Sequence, residues 1–142
     1  MPEFRNPALT VDAVIYRRSV PALLLIRRKN QPFQGFWALP GGFVEYGETV
    51  ENACRREALE ETGLVLSEIS LLSVYSDPDR DPRFHTVSIV FSAYVPDLSK
   101  AVASDDACET GVFDLSDVLN QKLAFDHRQI VRDFLSLKHL IF

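Results

Sequence analysis

Apolar residues recur along this chain of 142 residues in two spacings, one typical of strands and the other typical of helices. Alternation of apolar and polar residues, together with short apolar runs, predicts strands at residues 9–15, 22–26, 36–39, 65–75, 84–95 and 112–113. Helices are predicted at residues 49–62 and 126–139, with a helical turn at 115–119. This mixed order of strands and helices predicts an α/β fold, an α/β/α sandwich around a mixed β-sheet.

The predicted helix at residues 49–62 has clear ends and an unusual buried face. Thr49 can cap its N-terminus, and Gly63 stands where a helix C-terminus prefers glycine. At about 100° per residue, one apolar stripe contains Val50, Ala53, Cys54 and Ala58. Glu57 and Glu61 fall in the same sector, one turn apart. Carboxylates seldom point toward a core unless they are paired or bind metal, so this face predicts a site.

Glu60 borders the same sector, so three carboxylates can converge at the C-terminal end of this helix. Their mutual repulsion, and a helix dipole that disfavours anions there, call for a cation. Oxygen ligands without nearby His or Cys favour a hard ion, Mg²⁺ or Mn²⁺. The alternative for the flanking residues is a solvated surface, because Glu51 with Arg55 and Arg56 with Glu60 have the spacing of helical ion pairs.

Composition narrows the class of protein. The 15 Lys and Arg against 20 Asp and Glu give a charge of −5, which argues against a nucleic-acid binder held by phosphate contacts. With 46% apolar residues the chain can fill one core, so residues 1–142 are expected to form one domain with a loose arm at residues 1–8. Cys54 and Cys108 suggest no disulfide framework, and no stretch looks like a leader or a membrane span. We therefore expect a cytoplasmic protein.

The acidic residues are unevenly placed, with six of the nine glutamates in residues 42–64, whose sequence is GFVEYGETVENACRREALEETGL. This stretch resembles the Nudix box of Nudix hydrolases at every defined position. A glutamate, Glu48, follows Gly42 by six residues, and the pattern Arg-Glu-apolar-x-Glu-Glu-x-Gly-apolar begins at Arg56. The resemblance implies the Nudix α/β/α sandwich and the hydrolysis of a nucleoside diphosphate linked to another group.

The resemblance also implies roles for the box residues. Glu57 and Glu61 would be direct metal ligands, Glu60 a further ligand, and the carbonyl of Gly41 or Gly42 would complete the coordination. Arg56 would orient the glutamates, and Glu48 would support the loop and the helix. The attacking water also needs a base. Its candidates are Glu60 and three acids of a predicted later loop, Asp105, Asp106 and Glu109, and the sequence leaves the choice open.

Two further segments, residues 75–87 and 123–127, resemble small bacterial ADP-ribose pyrophosphatases, in which a proline stands about 15 residues after the box, as Pro78 does after Gly63. Arg80, Arg83 or the basic run that begins at Arg27 could bind a terminal ribose or phosphate. Phe36, Trp37 or Phe125 could stack on adenine, although core packing is the alternative for these aromatic residues. His85 and His127 are expected to make loop hydrogen bonds rather than to act in catalysis.

Two other functions share the box. One is a nucleoside-triphosphate pyrophosphatase that clears damaged nucleotides, and the other is a module that senses ADP-ribose to control transcription. The sensor is disfavoured because every box glutamate is present and the sequence ends at Phe142, soon after the last predicted helix. The expected partner is a small nucleotide, with neither nucleic acid nor membrane. A homodimer, common among ADP-ribose hydrolases, stays open.

Overall fold

The computed structural model describes residues 5–102 and 107–138, and these form a seven-stranded mixed sheet with a helix against each face. The strands are β1 (Ala8–Arg17), β2 (Ala22–Arg28), β3 (Trp37–Ala38), β4 (Gly41–Phe43), β5 (Ser70–Tyr75), β6 (Thr86–Tyr94) and β7 (Ala107–Asp114). The helices are α1 (Val50–Thr62) and α2 (His127–Leu137), with a 3-10 turn at Val118–Asn120. The predicted α/β class and the mixed sheet are thereby confirmed.

The strand order is β3-β2-β1-β6-β5, with β4 paired to β1 and β7 paired to β2. β1 and β6 run parallel, and the other strand pairs are antiparallel. β1 is central, and its two sets of alternating side chains enter two different cores. Val11, Ala13 and Ile15 pack on the α1 side, whereas Val14 and Tyr16 pack on the α2 side. The strand therefore places residue 12 on the α2 side of the sheet.

Both ends of α1 follow the predicted signals. The Thr49 hydroxyl accepts the backbone N–H of Asn52 at 3.1 Å, a cap that typically contributes about 1 kcal/mol. Gly63 ends the helix with a φ of 73°, a left-handed conformation that glycine adopts without steric cost. Ala53, Cys54 and Ala58 are buried on the sheet, as the apolar stripe predicts. The rotation of this helix fixes where its glutamates point.

Three predicted elements differ from the structure. Residues 65–69 lie outside any strand, and the carbonyls of Leu66 and Ser67 accept hydrogen bonds from the Arg55 side chain instead of from a strand. The strand predicted at 112–113 is the eight-residue β7, which begins at Ala107 and pairs with β2. The strand predicted at 36–39 is limited to Trp37–Ala38, and Gly41–Phe43 forms a further strand, β4.

The boundaries of the remaining segments are as follows. β1 begins at Ala8, the last residue of the predicted arm, and residues 1–4 lie outside the described residues. The predicted helical turn is a 3-10 turn at Val118–Asn120, and α2 ends at Leu137, with residues 139–142 outside the description. Asp105 and Asp106 also fall outside it. Among the described residues, no helix is long and apolar enough to span a bilayer.

Candidate active site

A cleft of about 280 Å³ opens where the face of α1 meets β4 and the loops that precede β6 and α2. Its acidic lining includes Asp12, Glu57, Glu60 and Glu61, and its basic and aromatic lining includes Arg28, Arg80, Arg83, Phe43 and Phe125. Carboxylates and guanidinium groups thus line one cleft. Such a lining suits an anionic ligand that is held partly by arginines and partly through a cation.

Glu57 and Glu61 lie on the cleft side of α1, as the helical spacing predicts. The Gly41 N–H donates to Glu61 Oε1 at 3.3 Å, while Glu61 Oε2 is buried and has no hydrogen-bond partner. Burial, reinforced by the neighbouring Glu57 carboxylate, raises the pKa of Glu61 to about 9. A buried carboxyl oxygen without a donor needs either a proton or a metal ion.

Gly42 brings the main chain against these carboxylates. A Cβ at Gly42 would lie 2.6 Å from the carboxyl carbon of Glu57, and one at Gly41 would lie 2.2 Å from the Val11 carbonyl oxygen. These two glycines do not serve an unusual backbone conformation, because both lie in the extended strand β4. They are required by close packing.

Arg56 connects the box residues. Its guanidinium donates to Glu48 at 2.7 and 2.9 Å, to Glu57 at 2.8 Å, to Glu60 at 3.3 Å and to the Phe43 carbonyl at 3.0 Å. Its hydrogen bonds lower the pKa of Glu48 to about 2. This geometry is suited to the orienting role that the family resemblance implies for Arg56, and to the supporting role of Glu48.

The described residues contain no preformed cage of three or more His, Cys, Asp or Glu side chains. The fit to a metal ion therefore rests on the Glu57 and Glu61 pair and on the partnerless Glu61 oxygen. These donors are hard oxygens, which suit Mg²⁺ or Mn²⁺ better than a thiophilic ion. The backbone of Gly41 lies beside Glu61 through its N–H group.

A group of buried polar side chains that the sequence did not reveal lies at the bottom of the cleft. Asp12 accepts the Ser88 hydroxyl, and its Oδ1 lies 3.5 Å from Nε2 of His127. Burial raises the pKa of Asp12 to about 7 and lowers the pKa of His127 to about 3. Nδ1 of the neutral His127 accepts the Leu39 N–H at 3.0 Å, which assigns the proton to Nε2, facing Asp12. An acid within an apolar strand was the available sequence signal.

The predicted substrate contacts separate into two groups. Arg80, Arg83 and Phe125 line the cleft, and the Arg83 guanidinium lies 5.8 Å from the centre of the Phe125 ring. Arg27 instead pairs with Glu109 at 2.9 Å, with about half of each side chain exposed, and neither borders the described cleft. Trp37 packs against Phe113 with ring centres 4.9 Å apart.

The candidate bases also separate. Glu60 borders the cleft, with 57% of its side chain exposed. Glu109 lies in strand β7 rather than in a loop, opposite Arg27. The strand register sets the side chains of Glu109 and Arg27 beside each other, and they form an ion pair. Asp106, like Asp105, lies outside the described residues.

Comparison with known proteins defines the class. The family model described as NUDIX domain matches residues 6–134. The chain belongs to the Nudix family, and the predicted class of Nudix pyrophosphohydrolase is confirmed. Nudix hydrolases generally use divalent metal ions.

Similar proteins are found among curated sequences and solved structures. An ADP-ribose pyrophosphatase of Methanocaldococcus jannaschii is 52% identical over 96% of this chain and 78% of its own length. The NUDIX domain of Shewanella oneidensis NrtR, solved with ADP ribose, superposes with a TM-score of 0.86 at 31% identity, covering 97% of this chain and 91% of that one. A bifunctional NMN adenylyltransferase/ADP ribose pyrophosphatase of Francisella tularensis, solved with AMP and a manganese ion, gives 0.83 at 31% identity, with coverages of 96% and 43%.

Proposed function

We propose that this chain hydrolyses ADP-ribose to AMP and ribose 5-phosphate with Mg²⁺, or Mn²⁺ in its place. The observation that carries the proposal is the Glu57 and Glu61 pair, with its buried partnerless oxygen, facing arginines and an aromatic ring in one cleft. The 52% identity to an archaeal ADP-ribose pyrophosphatase supports the choice of substrate. The manganese ion in the bifunctional relative supports the choice of ion.

Glu57 and Glu61 are the proposed metal-holding residues. A bound divalent ion would offset the charge of the diphosphate and lower the pKa of the attacking water. Arg56 holds Glu57 at 2.8 Å and is itself held by Glu48, so the carboxylate is oriented before substrate arrives. Gly42 allows the main chain to approach Glu57, and the Gly41 N–H fixes one oxygen of Glu61.

Glu60 is the proposed general base. It borders the cleft and is connected to the metal-holding pair through Arg56. Glu109 is a weaker candidate, because Arg27 holds it in β7 away from the described cleft lining. Asp106 stays a prediction from sequence. A base must reach the water directly, and among the described candidates Glu60 is best placed for this.

Arg83 and Phe125 are the proposed nucleotide contacts. Two guanidinium groups lie near the Phe125 ring, with Arg28 at 4.9 Å and Arg83 at 5.8 Å from its centre. This arrangement offers an aromatic face for a base and positive charge for a phosphate. Arg27 and Trp37 stay predictions, although their contacts with Glu109 and Phe113 favour structural roles.

A substrate panel with Mg²⁺, scored by product, tests the proposal. We expect AMP and ribose 5-phosphate from ADP-ribose, with kcat/KM at least about tenfold above that for any nucleoside triphosphate, some 1.4 kcal/mol of discrimination. Pyrophosphate from triphosphates, with ADP-ribose untouched, would identify the triphosphate pyrophosphatase instead.

The ADP-ribose sensor is the second candidate, because the NUDIX domain of a protein solved elsewhere with DNA, NrtR, superposes closely on this chain. Micromolar binding of ADP-ribose without turnover of any nucleotide would favour the sensor. A cytoplasmic location and a homodimer stay predictions.

A further inference from the structure

Arg80 and Asp126 join the two loops that form one side of the cleft. Nε and Nη2 of Arg80 donate to the two carboxylate oxygens of Asp126 at 2.9 and 2.7 Å, and Nη1 donates to the Thr86 hydroxyl at 2.7 Å. Only 5% of the Arg80 side chain is exposed. All three nitrogens are therefore used within the protein, although the residue borders the cleft.

Asp126 departs from the ordinary behaviour of an acid at its position. It occupies the N-cap of α2, where a carboxylate usually accepts a backbone N–H of the first turn, yet it makes no such bond. Both of its oxygens go to Arg80 instead. A paired fork of this kind fixes direction as well as distance, so the start of α2 is oriented against the loop that carries Arg80.

The Arg80 and Asp126 pair also lies close to the buried carboxylate of Asp12. Asp12 Oδ2 lies 4.0 Å from Arg80 Nη2, so one buried guanidinium faces two carboxylates. Removal of the guanidinium would leave both acids without that cation, and neutralising Asp126 would change the charge that Arg80 balances. The two substitutions should therefore disturb the same structural unit.

The groups next to this pair are the proposed nucleotide contacts. Phe125 precedes Asp126 directly and has a φ of 52°, a region that non-glycine residues occupy only when the surroundings impose it. Arg83 follows Arg80 by three residues, and Asp81 holds its guanidinium at 2.8 Å. The contact between Arg83 and the Phe125 ring therefore joins the same two loops as the ion pair.

We propose that Arg80 and Asp126 are positioning residues, whose buried ion pair holds Phe125 and Arg83 in the arrangement that receives the nucleotide. This inference rests on the proposed function, since it assigns the loops to substrate binding. The sequence predicts that Arg80 contacts the substrate directly, whereas here Arg80 acts on the substrate only through Phe125 and Arg83.

Steady-state kinetics of R80A, D126N and the double variant with ADP-ribose test this role. Each single variant should raise KM about tenfold and leave kcat within about threefold, because the metal-holding carboxylates belong to α1. The double variant should be no worse than either single variant, as expected for two halves of one interaction. R80K, which keeps the charge without the fork, should give an intermediate KM.

Y75F is the matched control. The Tyr75 hydroxyl donates to Asp133 at 2.6 Å and ties β5 to α2 away from the cleft lining. Its loss should leave KM and kcat within twofold. A merely structural defect lowers the folded fraction and hence kcat, with KM unchanged, so an unchanged KM in D126N would overturn the inference. So would a raised KM in R80A alone, which would mean that Arg80 contacts substrate.

The experiment stays decisive if one variant does not fold or if wild type is inactive. If R80A fails to fold, judged by circular dichroism, D126N and R80K decide the matter. If wild type does not turn over ADP-ribose, the hydrolase proposal fails by itself. Calorimetric binding of ADP-ribose then replaces KM, and equal weakening in D126N and R80A would still support positioning, whereas unchanged binding in both would overturn it.

Discussion

Gly42 shows how a single missing side chain shapes the site. The carboxyl group of Glu57 occupies the space where a Cβ would stand, within 2.6–2.7 Å of three of its atoms. β4 is pinned to β1 by its register, so the strand cannot easily retreat. The conflict must instead be relieved by moving Glu57, which would strain its hydrogen bond with Arg56.

We therefore expect G42A to lower kcat with ADP-ribose by about a hundredfold, a change of about 2.7 kcal/mol in barrier, while the chain stays folded. Steady-state kinetics and circular dichroism measure the two effects. G47A is the control, because Gly47 has a φ of 84° and nothing lies within 4 Å of the point that a Cβ would occupy. It should cost about 1 kcal/mol of stability and leave kcat within threefold. Equal kcat values in the two variants would refute the steric argument.

Residue-scale features differ in how visible they are from sequence. Glu57 and Glu61 could be predicted, because helical spacing places them among buried alanines. Asp12 could not be given a role, because its partners Ser88 and His127 lie far along the chain and meet only in the folded sheet. The need for glycine at positions 41 and 42 could not be predicted, because close packing leaves no local signal.

At the scale of elements, α1 was the most predictable part of the fold. Its cap at Thr49, its end at Gly63 and its apolar stripe agree with one another, and local agreement of this kind fixes a helix well. β7 was much less predictable, because its pairing with β2 is set by tertiary contacts rather than by alternation in its own sequence. At residues 65–69 the alternating pattern predicts a strand that the structure does not contain. Leu64 and Leu66 are buried, although the segment pairs with no strand.

The Arg56 and Glu48 contact ties the loop before α1 to the helix, and it predicts a pH dependence. Arg56 lowers the pKa of Glu48 from 4.5 in the unfolded chain to about 2. A depressed carboxylate pKa contributes stability that is present above pH 4.5 and lost as pH falls toward 2. The E48Q variant has no titratable carboxyl group at this position. Its free energy of unfolding should therefore fall less steeply than that of wild type as the pH drops from 4.5 toward 2.

Urea unfolding at several pH values between 2.5 and 6 measures this difference. E51Q, which removes an exposed acid from the first turn of α1, is the matched control and should keep the wild-type slope. Parallel slopes for E48Q and wild type would contradict the assigned role of Glu48.

At the scale of the whole molecule, the fold assembles a site from parts of the chain that are distant in sequence. β1 supplies Asp12, α1 supplies the glutamates, and the loops before β6 and α2 supply Arg80, Arg83 and Phe125. The sandwich itself could be predicted from the order of elements, but the meeting of Arg80 with Asp126, 46 residues later, could not. Long-range pairing of this kind depends on topology rather than on local pattern.

The net charge of −5 also has a different meaning in the folded molecule. Acids that face solvent contribute little, whereas Glu57 and Glu61 place carboxyl oxygens beside arginines in one cleft. A divalent ion held by these glutamates, as proposed, would let an acidic protein bind a polyanion. The distribution of charge, rather than its sum, is what fits a nucleotide diphosphate.

The most direct test of this account is the turnover of ADP-ribose by wild type, E61Q and the control E51Q as Mg²⁺ is titrated. Glu61 carries the buried oxygen without a partner, so its loss should remove metal-dependent catalysis while the fold remains. We predict Mg²⁺-dependent release of AMP by wild type and E51Q, and a kcat at least about a hundredfold lower for E61Q, some 2.7 kcal/mol in barrier. Wild-type turnover that persists in a chelator, or an E61Q rate within threefold of wild type, would contradict the account.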